Sequence, residues 1–215
     1  MEQQKKTSFQ PLAFTLTVLA AFVRLIPHPP NFAPVGSVAL FGGAKLRGWQ
    51  AYLVPVLAML VTDPIRSRLE GNYAPYSWAT LVIYSAFLIN VVLGRVFLRN
   101  SSSVWRIAAV ALAGSIQFFL ITNLYEWWRG LALYPHTWAG LTTCYIAALP
   151  FFGRTILGDL FYAGLLFSAY ALLHRHSRPA GRSPLTRAGR ARPAVTGSRG
   201  GGTLPLSSRV VPTDR

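Results

Sequence analysis

Between Pro11 and His174 the chain is a succession of apolar segments 13 to 22 residues long, separated by proline-rich or arginine-bearing joints. A helix rises 1.5 Å per residue, so roughly 20 mostly apolar residues cross a hydrocarbon core of about 30 Å. Backbone polar groups at that depth must be satisfied internally, which leaves helices as the economical solution. The pattern therefore predicts an all-α membrane protein, a bundle of about six transmembrane helices over residues 11–174. With 52% hydrophobic and 13% charged residues, the composition sits far from that of a soluble domain, where about a quarter of residues are charged.

The predicted spans are 11–26, 34–46, 50–62, 77–98, 105–125 and 155–174. The second is short for a span. The third is expected to stop at Asp63-Pro64. Residues 137–152 are apolar, but Pro150 and Gly153 interrupt them, so this stretch is expected to form a separate re-entrant or interfacial helix. Lys5 and Lys6 ahead of the first apolar segment resemble the start of a signal peptide. The Pro27-His28-Pro29-Pro30 that follows carries no small-x-small cleavage pattern, and an uncleaved first span is the expectation.

Orientation follows from lysine and arginine. Lys5, Lys6, Lys45, Arg47, Arg95, Arg99 and Arg106 fall on one side if the amino terminus (residues 1–10) is cytoplasmic, and an even span count returns the carboxyl terminus there. Arg66, Arg68, Arg129 and Arg154 are left outside, in loops that also hold aromatic residues or an acid. The expected location is the cell (inner) membrane, multi-pass, with both termini cytoplasmic. Residues 175–215 hold nine arginines against Asp214 alone, in a Ser/Pro/Gly/Ala-rich setting that cannot bury enough surface to offset its chain entropy. A disordered cytoplasmic tail is expected. It lacks the interleaved aromatics that stack on bases, so no nucleic-acid partner is expected, and the lipid bilayer is the natural counterpart of its charge.

Chemistry is sought where polar groups interrupt apolar segments, because ionisable groups at membrane depth cost about 2.5–3.5 kcal/mol each. Asp63 and Asp159 are such groups. Asp63 is either functional or a water-exposed helix-end residue; Asp159 either contributes to a site or pairs with an arginine or a helix dipole. The run Asn123 to Trp128, followed by Tyr134-Pro135-His136-Thr137-Trp138, matches an interfacial aromatic belt. Its Asn123, Glu126 and His136 also fit a pocket in which rings give contact and polar groups give orientation. The loop from Pro27 to Pro34 is stiffened by four prolines, and Asn31 and Phe32 are its candidates for a ligand. Ala13, Thr17 and Ala21 form a small-residue stripe on the first span, of the kind that permits close helix packing, within the chain or with a partner.

No HExxH, GxSxG or GxxxxGK[ST] pattern occurs, and the single Cys144 offers neither a disulfide nor a metal set. No catalytic residue, cofactor or metal is expected, and the chain is read as a non-enzyme.

The segment Leu25-Ile26-Pro27-His28-Pro29-Pro30-Asn31-Phe32-Ala33-Pro34, continuing through Ala39-Leu40-Phe41-Gly42-Gly43-Ala44, resembles the opening of an uncharacterised bacterial family of membrane proteins assigned to transport. The resemblance extends to Leu53-Val54-Pro55, Thr62-Asp63, Phe118 to Asn123, Tyr134 to Leu141, Cys144-Tyr145, Ala148 to Phe152 and Leu157-Gly158-Asp159, covering about residues 11–174. Members of that family are similar to the substrate-binding S subunits of energy-coupling-factor vitamin transporters. The resemblance implies a six-helix subunit that holds a small vitamin-like ligand near its outer face, with Asn31, Phe32, Asp63, Asn123, Trp127, Tyr134, Thr137 and Asp159 as the ligand region. It also implies that Ala13, Thr17 and Ala21 form a coupling interface toward a transmembrane coupling subunit driven by separate ATPases. Thr17 departs from the alanine-xxx-alanine form of such a face. The alternative is a non-transport membrane assembly or scaffold protein whose polar residues serve packing.

Overall fold

The computed structural model describes residues 10–71, 74–130 and 133–176, without the side chains of residues 70, 175 and 176. The basic tail and the first nine residues lie outside them. Among the described residues the chain is entirely helical: α1 Pro11–Val23, α2 Val35–Lys45, α3 Gln50–Glu70, α4 Trp78–Leu93 with a π-helical turn Gly94–Leu98, α5 Val104–Trp128 and α6 Trp138–His176.

Three helical stretches are long and apolar enough to cross a membrane: 78–98, 104–128 and 138–174. In each, only 28% of the apolar window is buried inside the chain. Leucines such as Leu81, Leu112, Leu120, Leu157 and Leu165 face outward. An outer surface this apolar is unlike that of a soluble monomer and suits a lipid environment.

The short α2 is the axle of the bundle. Ten of its eleven residues, Val35 to Ala44, are buried, and every other helix and the π-turn pack against it. A helix wrapped by protein needs no lipid-spanning length, which explains why an 11-residue helix holds the centre. Gly43 lies against the Val91 backbone and Gly94 against the Leu40 carbonyl, so α2 and the end of α4 approach to backbone contact. The π-turn begins at that crossing.

Several boundaries depart from expectation. α1 ends at Val23 rather than Ile26; Pro27 disfavours helical geometry at the residue before it, and the chain leaves in two turns, Leu25 N–H to Phe22 O and Ile26 N–H to Val23 O. α3 does not stop at Asp63-Pro64 but runs on to Gly71, whose left-handed φ of 83° caps it. Pro64 has no N–H for the Leu60 carbonyl four residues back. The Tyr76 hydroxyl donates to that carbonyl instead, at 2.8 Å, so the helix survives its proline. Arg66 and Arg68 are consequently helical rather than in a loop. α4 starts where expected, with Ser77 and Thr80 forming a reciprocal capping box.

The largest correction concerns residues 137–152. They form no separate re-entrant helix: α6 is one 39-residue helix through Pro150 and Gly153, and Arg154 lies within it. A proline inside a helix removes one hydrogen bond and bends the rod without ending it when neighbouring turns and helices hold it. α6 meets α5 at Ser115–Asp159 and again at Asn123–Cys144. Between those points α6 spends about seven more residues than α5, about 10 Å of spare rise. The Phe119 and Phe152 rings stack across that interval, 4.3 Å between centroids, next to Pro150 and Gly153.

Candidate ligand-binding site

A cavity of about 360 Å³ lies against α5 and α6 in this interval. Phe118, Phe119, Thr122, Asn123 and Glu126 line it from α5, and Ala148, Phe151, Phe152 and Thr155 from α6. A second cavity of about 300 Å³ adjoins it beneath the proline-rich loop, with Arg24, His28, Gly36, Arg66, Phe87 and Asp159 in its walls. Both are lined by Asn31, Ile83, Phe118 and Thr155. Asn31 is the sole non-glycine with positive φ among the described residues, at 65°. Asparagine tolerates that left-handed geometry better than other side chains do. It turns the loop over the junction of the two cavities.

Asp159 is held where α2, α5 and α6 meet. It is 4% exposed, its Oδ2 accepts the Ser115 hydroxyl at 2.7 Å, and the Ser37 hydroxyl donates to its backbone carbonyl at 2.7 Å. A Cβ on Gly36 would overlap its carboxylate, so the carboxylate sits on the first turn of α2, whose free N–H groups favour negative charge. Among the described residues no arginine forms an ion pair with it. The preceding Gly158 receives the loop backbone, since a Cβ there would lie 3.3 Å from the Phe32 Cα. Gly158-Asp159 thus fixes both the loop and the start of α2.

Asp63 is not a water-exposed helix end. It is 8% exposed, pairs with Arg24 Nη1 at 2.8 Å and accepts the Tyr84 hydroxyl at 2.5 Å. The same Arg24 nitrogen donates to Thr62 Oγ1 at 3.1 Å. Asp63 itself lines neither cavity; it holds Arg24, which lines the second.

The other sequence candidates divide. Asn123 lines the first cavity; its Nδ2 donates to the Phe119 carbonyl at 2.8 Å, which turns the amide along its own helix. Phe32 packs on Phe161 and Tyr162, at ring separations of 5.9 and 5.6 Å, and anchors the loop from outside the cavities. Trp127 lies in the last turn of α5, and Tyr134 and Thr137 between α5 and α6. Trp127 Nε1 donates to Pro135 O at 3.0 Å, its ring meets His136 edge-on, and Thr137 Oγ1 accepts the Gly140 N–H. Trp127, Tyr134 and Thr137 line neither cavity.

The stripe Ala13, Thr17 and Ala21 is corrected as well. All three are buried, at 0%, 0% and 5% exposure. A Cβ on Gly42 would sit 3.6 Å from the Thr17 methyl, which sets the stripe against α2. Internal packing uses this face, and it is not open to a partner.

A family model described as a family of unknown function (DUF6580) matches residues 4–182. The chain belongs to this family. No curated protein and no solved structure matches it. In this DUF6580 member, sequence reasoning missed Arg24, Ser37, Arg66, Ser115 and Thr155 as parts of the site. Arg24 left a trace, as a charge near the end of an apolar segment. Among the described residues no group of three His, Cys, Asp or Glu side chains could hold a metal.

Proposed function

We propose that this DUF6580 protein is a multi-pass inner-membrane protein that binds a small vitamin-like organic molecule in the paired cavities, as the substrate-binding subunit of a transporter of the energy-coupling-factor type. The observation that carries the reading is the pair of adjoining cavities at the end of the bundle away from Lys45, Arg47 and Arg99. Their size matches small-molecule sites, which run from about 300 Å³ upward. Their walls combine five phenylalanines with Asn31, Asn123, Thr122, Thr155, Arg24, Arg66, Glu126 and Asp159. That mixture suits a ring-containing ligand with donors and acceptors at its edges, and both signs of charge to orient it. No chemical step is assigned to the site; it holds and releases.

The partners in this reading are a transmembrane coupling subunit and its ATPases. With Ala13, Thr17 and Ala21 inside, the coupling face would be an outward one, and on α1 it would run through the exposed Leu19 and Phe22. Six membrane crossings belong to the same reading, with α1, α2 and α3 entering the membrane as a packed group around α2.

The test is mass spectrometry of small molecules released from protein purified out of native membranes, with Asn123→Ala as comparison. The Asn123 amide bonds only its own helix, so its removal should leave stability within about 1 kcal/mol of the parent while occupancy falls at least about tenfold, the worth of one oriented polar contact. Parent protein that released no organic ligand and copurified with no coupling subunit would remove the basis of the proposal. A ligand retained equally by the variant would place the site elsewhere.

A further inference from the structure

At the opposite end of the bundle two more cavities adjoin, and their linings differ in kind. One, of about 250 Å³, is polar and basic: Gln10, Lys45, Arg47, Arg99, Asn100 and Tyr170 face it. The other, of about 410 Å³, is a trough between the start of α5 and the end of α6, with Val104, Ile107, Phe167 and Ala171 along it and Ser101, Ser102 and His174 at its mouth. Lys45 and Tyr170 belong to both.

Among the described residues neither lining contains a carboxylate. The described acids Asp63, Glu126 and Asp159 all lie toward the far end, in or beside the ligand cavities. The Lys45 ammonium rests on the faces of Phe167 and Tyr170, 5.4 and 5.7 Å from the ring centroids. A cation held at a fixed place by aromatic rings, with the Arg99 guanidinium facing the same slot, offers positive charge to an anion that enters it.

We infer that this pair of cavities binds one anionic phospholipid, its phosphodiester at Lys45 and Arg99 and one acyl chain along the Val104–Ala171 trough. Basic pockets between membrane helices at the headgroup level take such lipids. The apolar trough beside the basic slot distinguishes a lipid from a free phosphate, which would use the slot alone. Asn100, Ser101 and Ser102 supply neutral hydrogen-bonding groups for the glycerol and ester oxygens. The inference rests on the membrane-spanning helices and is independent of what the other end binds.

The full chain, purified in mild detergent, would be titrated with phosphatidylglycerol or phosphatidylcholine of the same chain length, and bound lipid counted by native mass spectrometry. Phosphatidylglycerol should be retained at least about tenfold better, as expected when several basic groups meet one phosphate. Lys45→Gln combined with Arg99→Gln should abolish that preference. Ala171→Trp keeps every charge but fills the trough, and should weaken retention of the long-chain lipid without changing helicity or monodispersity. Glycerol 3-phosphate in excess should fail to compete. Equal retention of the two lipids, a preference that survives the charge variants, or full competition by glycerol 3-phosphate would each overturn the assignment.

Discussion

Replacing Arg24 with alanine should destabilise the bundle by about 3–5 kcal/mol, the largest effect of any polar substitution in it. The side chains of Arg24 and Asp63 are only 10% and 12% exposed, so removing the guanidinium strands a buried carboxylate with the Tyr84 hydroxyl still donating to it. A charge in low dielectric without its counter-charge costs far more than the net worth of the pair. Asp63→Ala should cost a similar amount for the mirror reason. The combined change Arg24→Met with Asp63→Leu should recover most of the loss, because no unpaired charge remains. Unfolding in mixed micelles, followed by helicity, measures all three. A loss below about 1 kcal/mol for Arg24→Ala would mean that water reaches the pair and that it behaves as a surface ion pair. Ligand occupancy separates stability from function: the double variant removes a wall of the second cavity, so it should fold and yet bind poorly.

Local rules made most helix starts legible. Pro11 at the first helical position, Ser77 with Thr80 and Ser103 ahead of α5 each carry their own reason in a few adjacent residues. The course of the chain through Pro64 and Pro150 was not legible. A proline ends a helix unless something distant repairs it, and the Tyr76 hydroxyl that repairs α3 lies sixteen residues from the carbonyl it satisfies. The site was legible in part for the same reason. Asn31 stands out in a proline-stiffened loop, Asn123 and Asp159 as polar residues in apolar runs, and all three line the cavities. Trp127 and Thr137 instead bond within the segment that joins α5 to α6. Arg24, Ser37 and Ser115 reach the site only because α2 stands at the centre of the bundle, and no spacing along the chain announces which helix that is. The small-residue stripe on α1 shows the limit most directly: its pattern promises a close-packed face, and nothing in the pattern tells whether the helix packed there is the chain's own.

Gly43→Ala should be the most damaging apolar change, costing about 3 kcal/mol, the upper end of what overpacking a core position costs. A Cβ at Gly43 would lie 2.8 Å from the Val91 carbonyl carbon, and one at Gly94 2.8 Å from that of Leu40. Both obstacles are backbone, so no side chain can rotate out of the way and α2 must move relative to α4. Gly94→Ala should cost a comparable amount. Because the two substitutions disturb one crossing, the pair should cost clearly less than the sum. Gly164→Ala is the control: nothing lies within 4 Å of its would-be Cβ, and its effect should stay within about 0.5 kcal/mol. If Gly43→Ala were as mild as the control, α2 would not be held by this crossing. The consequence reaches the ligand cavities, since α2 carries Gly36 and Ser37 against Asp159 at one end and Lys45 into the basic slot at the other. A shift of α2 should therefore weaken binding at both ends of the bundle together, whereas Asn123→Ala acts on one end and Lys45→Gln on the other.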